Sequence, residues 1–248
     1  MTIPKKIHHI YFSGWETVSD KYKYYVETWK KHHPDWEFHF WEEGKMSSYV
    51  EENFPDFFSL YDAYPLVIQK CEVMRYLLMQ KEGGYYLDMD IECLKSIDHI
   101  AEDFKLVLSK NVGYNQAIIG SIPGHPFWND VLGYLRESHA ETILVKKGEA
   151  MKISQTTGPI FFTDALKKSG YAEHRDTKSC QSYIFEPGAP MKVEGKIVSS
   201  SITDETVSIH HMSMEWMSWH HRLISGITGK VFKLILQLSS KSSKKQPA

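Results

Sequence analysis

Gly83-Gly84-Tyr85-Tyr86-Leu87-Asp88-Met89-Asp90 is the stretch whose reading decides the fold. It reads as a turn, a short buried strand and two carboxylates. Glycine adopts backbone angles that side chains forbid, so the Gly83-Gly84 pair suits a sharp exit from a preceding helix. Tyr85-Tyr86-Leu87 is aromatic and apolar, as a short central strand is. In an extended backbone residues i and i+2 face the same way, which predicts that Asp88 and Asp90 project together from the strand end. Two such carboxylates repel unless a cation lies between them. Hard divalent cations such as Mn2+ or Mg2+ prefer oxygen ligands, and an ion held there keeps open positions for the phosphate oxygens of a substrate. Asp-x-Asp alone arises easily by chance. Its weight here comes from the ordered context of helix, glycine pair, apolar strand and acidic pair.

Upstream, Pro65 opens a helix that runs to about Glu82, with Val67, Cys71, Met74 and Leu78 as its buried stripe. Glu72 and Arg75 are neighbours on one face. They read either as a surface ion pair worth under about 1 kcal/mol or as a pair facing the acidic residues and a nucleotide diphosphate. Further upstream, Ile3 to Phe12 reads as a first strand. Asp20 to Lys31 reads as a helix with Tyr22, Tyr25, Val26 and Trp29 on one face, ended by His33-Pro34. Trp36 to Trp41 reads as a second strand. Strand, helix, strand is the opening of an α/β nucleotide-binding fold. Residues Ser47 to Ala63 read as short helical pieces broken at Pro55.

Downstream, Phe104–Leu108 and Asn115–Ser121 are strand candidates, and Pro123-Gly124-His125-Pro126 is a turn. Phe127 to Ser138 is a helix, Glu141 to Lys152 a loop or weak helix, and Thr156-Thr157-Gly158-Pro159 starts another helix. Tyr183-Ile184-Phe185 and Val207-Ser208-Ile209 read as late strands, the second leading into His210-His211. An apolar stripe at helical spacing runs from about Arg222 to Leu238, followed by a Ser/Lys tail.

The 248 residues are 42% hydrophobic and 13% aromatic, enough for the core of one domain. A net charge of -2 argues against a general nucleic-acid binder. Three cysteines, Cys71, Cys93 and Cys180, with no C-x-x-C pair, argue against a disulfide framework and suit a reducing compartment. No N-terminal run reads as a signal peptide, and no run reads as a membrane span. The expected location is cytoplasmic, with the inner face of the plasma membrane as a second option.

Several stretches together resemble the small glycosyltransferases with an Asp-x-Asp sugar-binding region (glycosyltransferase family 32). They are Ile3 to Phe12, Cys71-Glu72-Val73-Met74-Arg75-Tyr76-Leu77, Gly83 to Asp90, Asn115 with Pro123 to Pro126, Thr157-Gly158-Pro159, and His210-His211 with Trp216. The resemblance runs from residue 3 to about 220. It implies a GT-A fold, a Rossmann-like mixed sheet flanked by helices. It also implies a nucleotide-sugar donor, UDP-sugar or GDP-mannose, a divalent metal, and retention of anomeric configuration. The acceptor it implies is a glycan or a lipid-linked sugar. Carried over residue by residue, Asp88, Asp90 and His210 would hold the metal. Asp88, Asp90, Arg75 and Glu72 would be catalytic. His9, Tyr11, Arg75, Gly84, Tyr86, Asp88 and Trp216 would bind the donor, and Asn115, His125 and Thr157 the acceptor. Glu72 departs from the pattern, which usually has Asp there. The domain would span 1–220, with an amphipathic helix and basic tail over 221–248 that either touches a membrane or packs on the body. A haloacid-dehalogenase-like phosphatase and a non-catalytic sugar-nucleotide or membrane-surface binding protein are the other readings.

Overall fold

The computed structural model describes residues 2–193 and 196–213. Trp216 and the 221–248 segment lie outside the described residues. In chain order the elements are β1 (Lys6–Ile10), α1 (Asp20–His32), β2 (Glu37–Trp41), α2 (Glu43–Asn53), α3 (Pro55–Asp62), α4 (Val67–Lys81), β3 (Gly84–Leu87) and β4 (Ile91–Cys93). They continue with β5 (Leu106–Lys110), β6 (Tyr114–Ser121), α5 (Pro126–Glu137), α6 (His139–Thr142), α7 (Ala150–Thr156) and α8 (Pro159–Ser169). The last are β7 (Thr177–Gln181), α9 (Ser182–Phe185), β8 (Pro190–Val193), β9 (Lys196–Ser199) and β10 (Ser208–His210).

Six strands form one mixed sheet in the order β2-β1-β3-β6-β5-β7. β1 runs parallel to β2 and β3, β6 runs antiparallel to β3 and β5, and β7 runs parallel to β5. Side chains alternate across the pleat. Tyr86, Leu106, Leu108 and Ile119 pack on one face with Leu77 of α4, Phe127 of α5 and Phe162 of α8. Tyr85, Leu87, Val107 and Ile118 pack on the other with Trp29 of α1, and with Ile91 and Val207 at the small β4–β10 sheet. The helix pattern of α1 holds as read: Tyr22, Tyr25, Val26 and Trp29 are buried, and the Ser19 hydroxyl caps the start by accepting from the Tyr22 amide. Cys71, Cys93 and Cys180 are free thiols.

Three expectations need correction. α4 carries no narrow stripe. It is buried almost all round from Glu72 to Met79 because sheet and helices cover it on several sides, whereas Val67, in its first turn, is 47% exposed. Asp88 and Asp90 are not alternate residues of one strand: β3 ends at Leu87, and Met89-Asp90 forms a turn into β4. Residues 183–185 are not a strand but part of a helical turn, closed by the Glu186 amide donating to the Ser182 carbonyl (2.6 Å). The strand in this region is the preceding Thr177–Gln181, an edge strand whose polar sequence hides it.

Gly84 is required by geometry. Its φ is +84°, and a Cβ there would lie 2.7 Å from the Lys6 carbonyl oxygen. The close approach of β3 to β1 therefore depends on a missing side chain.

Candidate active site

β3 delivers Asp88 to the end of the sheet where β1 also finishes. The Asp88 amide donates to the Ala117 carbonyl (2.9 Å), which continues the β3–β6 ladder by one step. The following turn then swings Asp90 toward β10, where the His211 amide donates to the Asp90 carbonyl (2.9 Å). The register of β10 on β4, with His210 opposite Ile91, brings the His210 ring to the same place. One ligand atom from each of Asp88, Asp90 and His210 lies within 4.8 Å of the others. The turn, rather than strand alternation, converges the two carboxylates.

Each member is anchored. Tyr86 donates its hydroxyl to Asp88 Oδ1 (2.6 Å). The Ser213 amide and hydroxyl donate to Asp90 Oδ2 at 2.7 and 2.9 Å. His210 Nε2 lies 3.3 Å from Asp90 Oδ1, and its Nδ1 lies 3.7 Å from Glu186 Oε2. Glu186 is fully buried and accepts from the Asn115 amide (2.6 Å). His211 faces away from the cluster, pairing with Glu92 (3.0 Å) and stacking on Tyr25 at 4.4 Å. Adjacent residues of a strand point apart, so one histidine reaches the carboxylates.

Arg75 occupies the neighbouring position. It pairs with Glu72 at 3.0 Å, lies 3.5 Å from Asp88, and donates to the Gln116 carbonyl at 3.0 Å. Its guanidinium sits 4.5 Å over the Tyr86 ring, a cation–π contact in a buried setting. Glu72 also accepts from the Gln116 side-chain amide. The one hydroxyl proton of Tyr76 is shared between the Gln116 side-chain oxygen and the Thr157 carbonyl (2.8 Å). The surface-ion-pair reading of Glu72 and Arg75 is thereby excluded: the residues are 7% and 4% exposed.

The electrostatics follow from burial. Burial raises the Glu72 carboxyl to about 7, even against the Arg75 charge. Burial raises Asp88 as well, with Arg75 opposing it. Burial would do the same to Asp90, but His210 and Ser213 prevail and hold it near 2. Burial alone would lower His210, yet Asp90 and Glu186 on its two sides hold it at about 10. The protein thus carries a proton where three ligand atoms converge, and a cation entering would take that proton's place.

The other expected residues divide. Asn115 joins the cluster, its side chain 3.5 Å from His210 Nδ1. Thr157 is buried one layer away, and its carbonyl joins the Glu72–Arg75 network through the Tyr76 hydroxyl. His9 is buried; its Nδ1 donates to the Leu87 carbonyl (2.9 Å), and burial lowers it to about 4. Half-buried Tyr11 rests edge-on against Tyr22 (6.3 Å) beside Met89. Gly84 sits at the far end of β3 from Asp88. His125 lies beyond Ser121, which pairs with Gly84, so it too is at the far end. It caps α5 by accepting from the Phe127 amide (3.3 Å) and is buried. Gln116, Tyr76, Glu186 and Ser213 escaped the sequence reading. Gln116 could have been found as the neighbour of Asn115 in an otherwise apolar strand.

Residues 19–106 match the family described as a glycosyltransferase sugar-binding region containing a DXD motif. Over this segment the chain is similar to DXD-type glycosyltransferase sugar-binding regions. Its DXD is Asp88-Met89-Asp90, and the segment includes Glu72 and Arg75. An uncharacterized glycosyltransferase of Acanthamoeba polyphaga mimivirus is 28% identical over 170 residues, covering 66% of this chain and 64% of that protein. Inositol phosphoceramide mannosyltransferase 1 of Schizosaccharomyces pombe is 31% identical over 130 residues, 50% of this chain and 40% of that protein. The chain spans about half the length of the curated relatives it matches. Among solved structures, the UDP-bound glycosyltransferase domain from the YGT toxin superposes with a TM-score of 0.54 at 10% identity, covering 83% of this chain and 84% of that one. At that identity the likeness speaks to the fold, which is GT-A.

Proposed function

We propose that the chain is a metal-dependent, retaining glycosyltransferase that moves a hexose from a nucleotide-sugar onto a polyol or sugar carried on a lipid or glycan. The observation that carries this reading is the meeting of Asp88, Asp90 and His210 within 4.8 Å, inside a DXD segment and next to Arg75. Two carboxylates and an imidazole suit a divalent cation, and the imidazole favours Mn2+ over the strictly oxygen-preferring Mg2+. A cation held by these three residues would neutralise charge on the departing nucleoside diphosphate.

The chain's own groups supply the rest. Arg75 fixes the Asp88 carboxylate from one side while Tyr86 fixes it from another. Glu72 is bound by Arg75 and Gln116, so its carboxylate is set in orientation for a sugar hydroxyl. Asn115 is held by Glu186, and Thr157 braces the network through Tyr76. Tyr11 and His9 lie at the same sheet end, where a nucleotide would lie across the strand termini. The Schizosaccharomyces pombe relative is named as an inositol phosphoceramide mannosyltransferase, which supports GDP-mannose and a lipid-borne polyol. The UDP-bound structural neighbour keeps UDP-sugars open.

A panel of nucleotide-sugars assayed for slow hydrolysis with and without Mn2+ tests the reading without knowledge of the acceptor. One donor should be hydrolysed only with metal, and Asp90→Asn should abolish that turnover while the protein stays folded. Near-normal turnover in Asp90→Asn would refute the assignment. The anomer first released, read by NMR, tests retention.

A further inference from the structure

Residues 143–160 place four large apolar side chains in water: Ile143 (38% exposed), Leu144 (71%), Met151 (63%) and Ile160 (36%). Four of the exposed large apolar side chains among the described residues thus fall on this one short segment. The loop from α6 to α7 is folded back on itself. The Lys146 amide donates to the Glu149 carboxylate (2.8 Å), and Lys152 pairs with the same carboxylate (2.6 Å). The loop's own carboxylate is thereby engaged. Glu137, Glu141 and Asp164 line the neighbouring cavity between α5 and α8, which Gln155 of the segment also lines. Lys146 and Lys147 are exposed, and neither is within ion-pair distance of a carboxylate among the described residues.

Met151 and Ile160 also rim an apolar groove of about 270 Å³, lined further by Ala150, Ile153 and Pro159, that reaches Glu72. Glu72 is the partner of Arg75, which lies beside Asp88. The exposed apolar face is therefore continuous with the candidate active site through a groove without a charged side chain other than Glu72.

We infer that the 143–160 face docks on an anionic lipid bilayer, and that the groove admits the hydrocarbon-proximal part of a membrane-borne acceptor toward Glu72. Leu144, Met151 and Ile160 enter the acyl boundary, while Lys146 and Lys147 meet anionic headgroups. The groove's role rests on the glycosyltransferase reading above; the docking does not.

Flotation of the full chain with phosphatidylcholine–phosphatidylserine vesicles at low salt tests the docking. The chain should float, and Leu144→Asp with Met151→Asp should lower partitioning by about tenfold or more. Both side chains are exposed, so the melting temperature should hold. Lys146→Glu with Lys147→Glu disturbs no packing and should weaken binding to the anionic vesicles while leaving it unchanged on pure phosphatidylcholine. A wild-type chain that stays soluble overturns the inference. So does a double variant that floats as well as wild type, whether another segment or a second copy explains the apolar face. Flotation needs no turnover, so its failure leaves the glycosyltransferase reading standing, and an inactive donor assay leaves the docking standing.

Discussion

Glu186 is the residue whose part in the site is least visible from its neighbours in the chain. One carboxylate oxygen is shared between the Asn115 side-chain amide and the His210 Nδ1 side, and the other, Oε1, is buried without a hydrogen-bond partner among the described residues. An acceptor on Nδ1 would keep a proton there when Nε2 gives up its own to a cation, the tautomer a metal ligand needs. Glu186→Gln keeps the shape and removes the charge, so Mn2+ affinity should fall roughly 10–100-fold while the melting temperature moves little. Isothermal titration of Mn2+ into both proteins checks this, and equal affinities would reduce Glu186 to a packing residue. Arg75→Lys makes the complementary case. Lysine cannot reach Glu72, Asp88 and the Gln116 carbonyl with one planar fork, so donor hydrolysis should drop at least about tenfold, beyond any change in urea midpoint. Asp88, Asp90, Glu72 and Arg75 were legible in the sequence because their spacing is local. Glu186 and Ser213 reach the same point from loops that only the tertiary fold brings there.

At the scale of elements, the joint between α4 and β3 carries the site. It was legible because glycine, apolar strand and acid pair follow one another without a gap. What the sequence could not show was the turn at Met89-Asp90, since the same residues read equally well as a strand. The edge strand β7 was hidden for a related reason: Thr177–Gln181 has mostly polar side chains and, among the described residues, one strand neighbour, β5, so no alternation marks it. The joint also makes a prediction about glycine. Gly84→Ala adds a Cβ 2.7 Å from a backbone oxygen at a φ of +84°, and overpacking plus strain should cost about 2–5 kcal/mol. Gly133 lies inside α5, and a Cβ added there would meet nothing within 4 Å, so Gly133→Ala should gain about 0.5–1 kcal/mol through helix propensity. Urea denaturation of the two variants should move in opposite directions; a neutral Gly84→Ala would mean that β1 and β3 can part at no cost.

Across the whole molecule, the sheet and its two layers bury histidines in neutral form. Burial lowers His8 to about 3, and His9 and His125 to about 4; His33 is lowered for the same reason. A histidine whose folded pKa is depressed stabilises the fold above its unfolded value near 6.5, and that contribution is lost as pH falls toward the folded value. Glu72, raised to about 7, acts in the opposite sense, because protonation relieves its burial as pH falls through the same range. His210 adds nothing there, being protonated in both states below about 6.5, and its stabilisation is lost only as pH rises toward about 10. Asp88, also raised by burial, acts in the same sense as Glu72, so three histidines held at about 3 to 4, with His33 beside them, face two carboxylates between pH 6.5 and 5. The unfolded chain binds roughly one to two more protons, and stability should fall by about 1–3 kcal/mol per pH unit. Urea midpoints measured across this range check the slope; a flat profile would mean that the buried histidines charge without opening the fold. His125→Asn separates two readings of one residue. Asparagine keeps an acceptor for the Phe127 amide and removes the titration, so the slope should shrink by about 1.4 kcal/mol per pH unit at most, with donor hydrolysis and transfer unchanged if His125 only caps α5. Transfer that falls while donor hydrolysis holds would instead place this end of the sheet in contact with the acceptor.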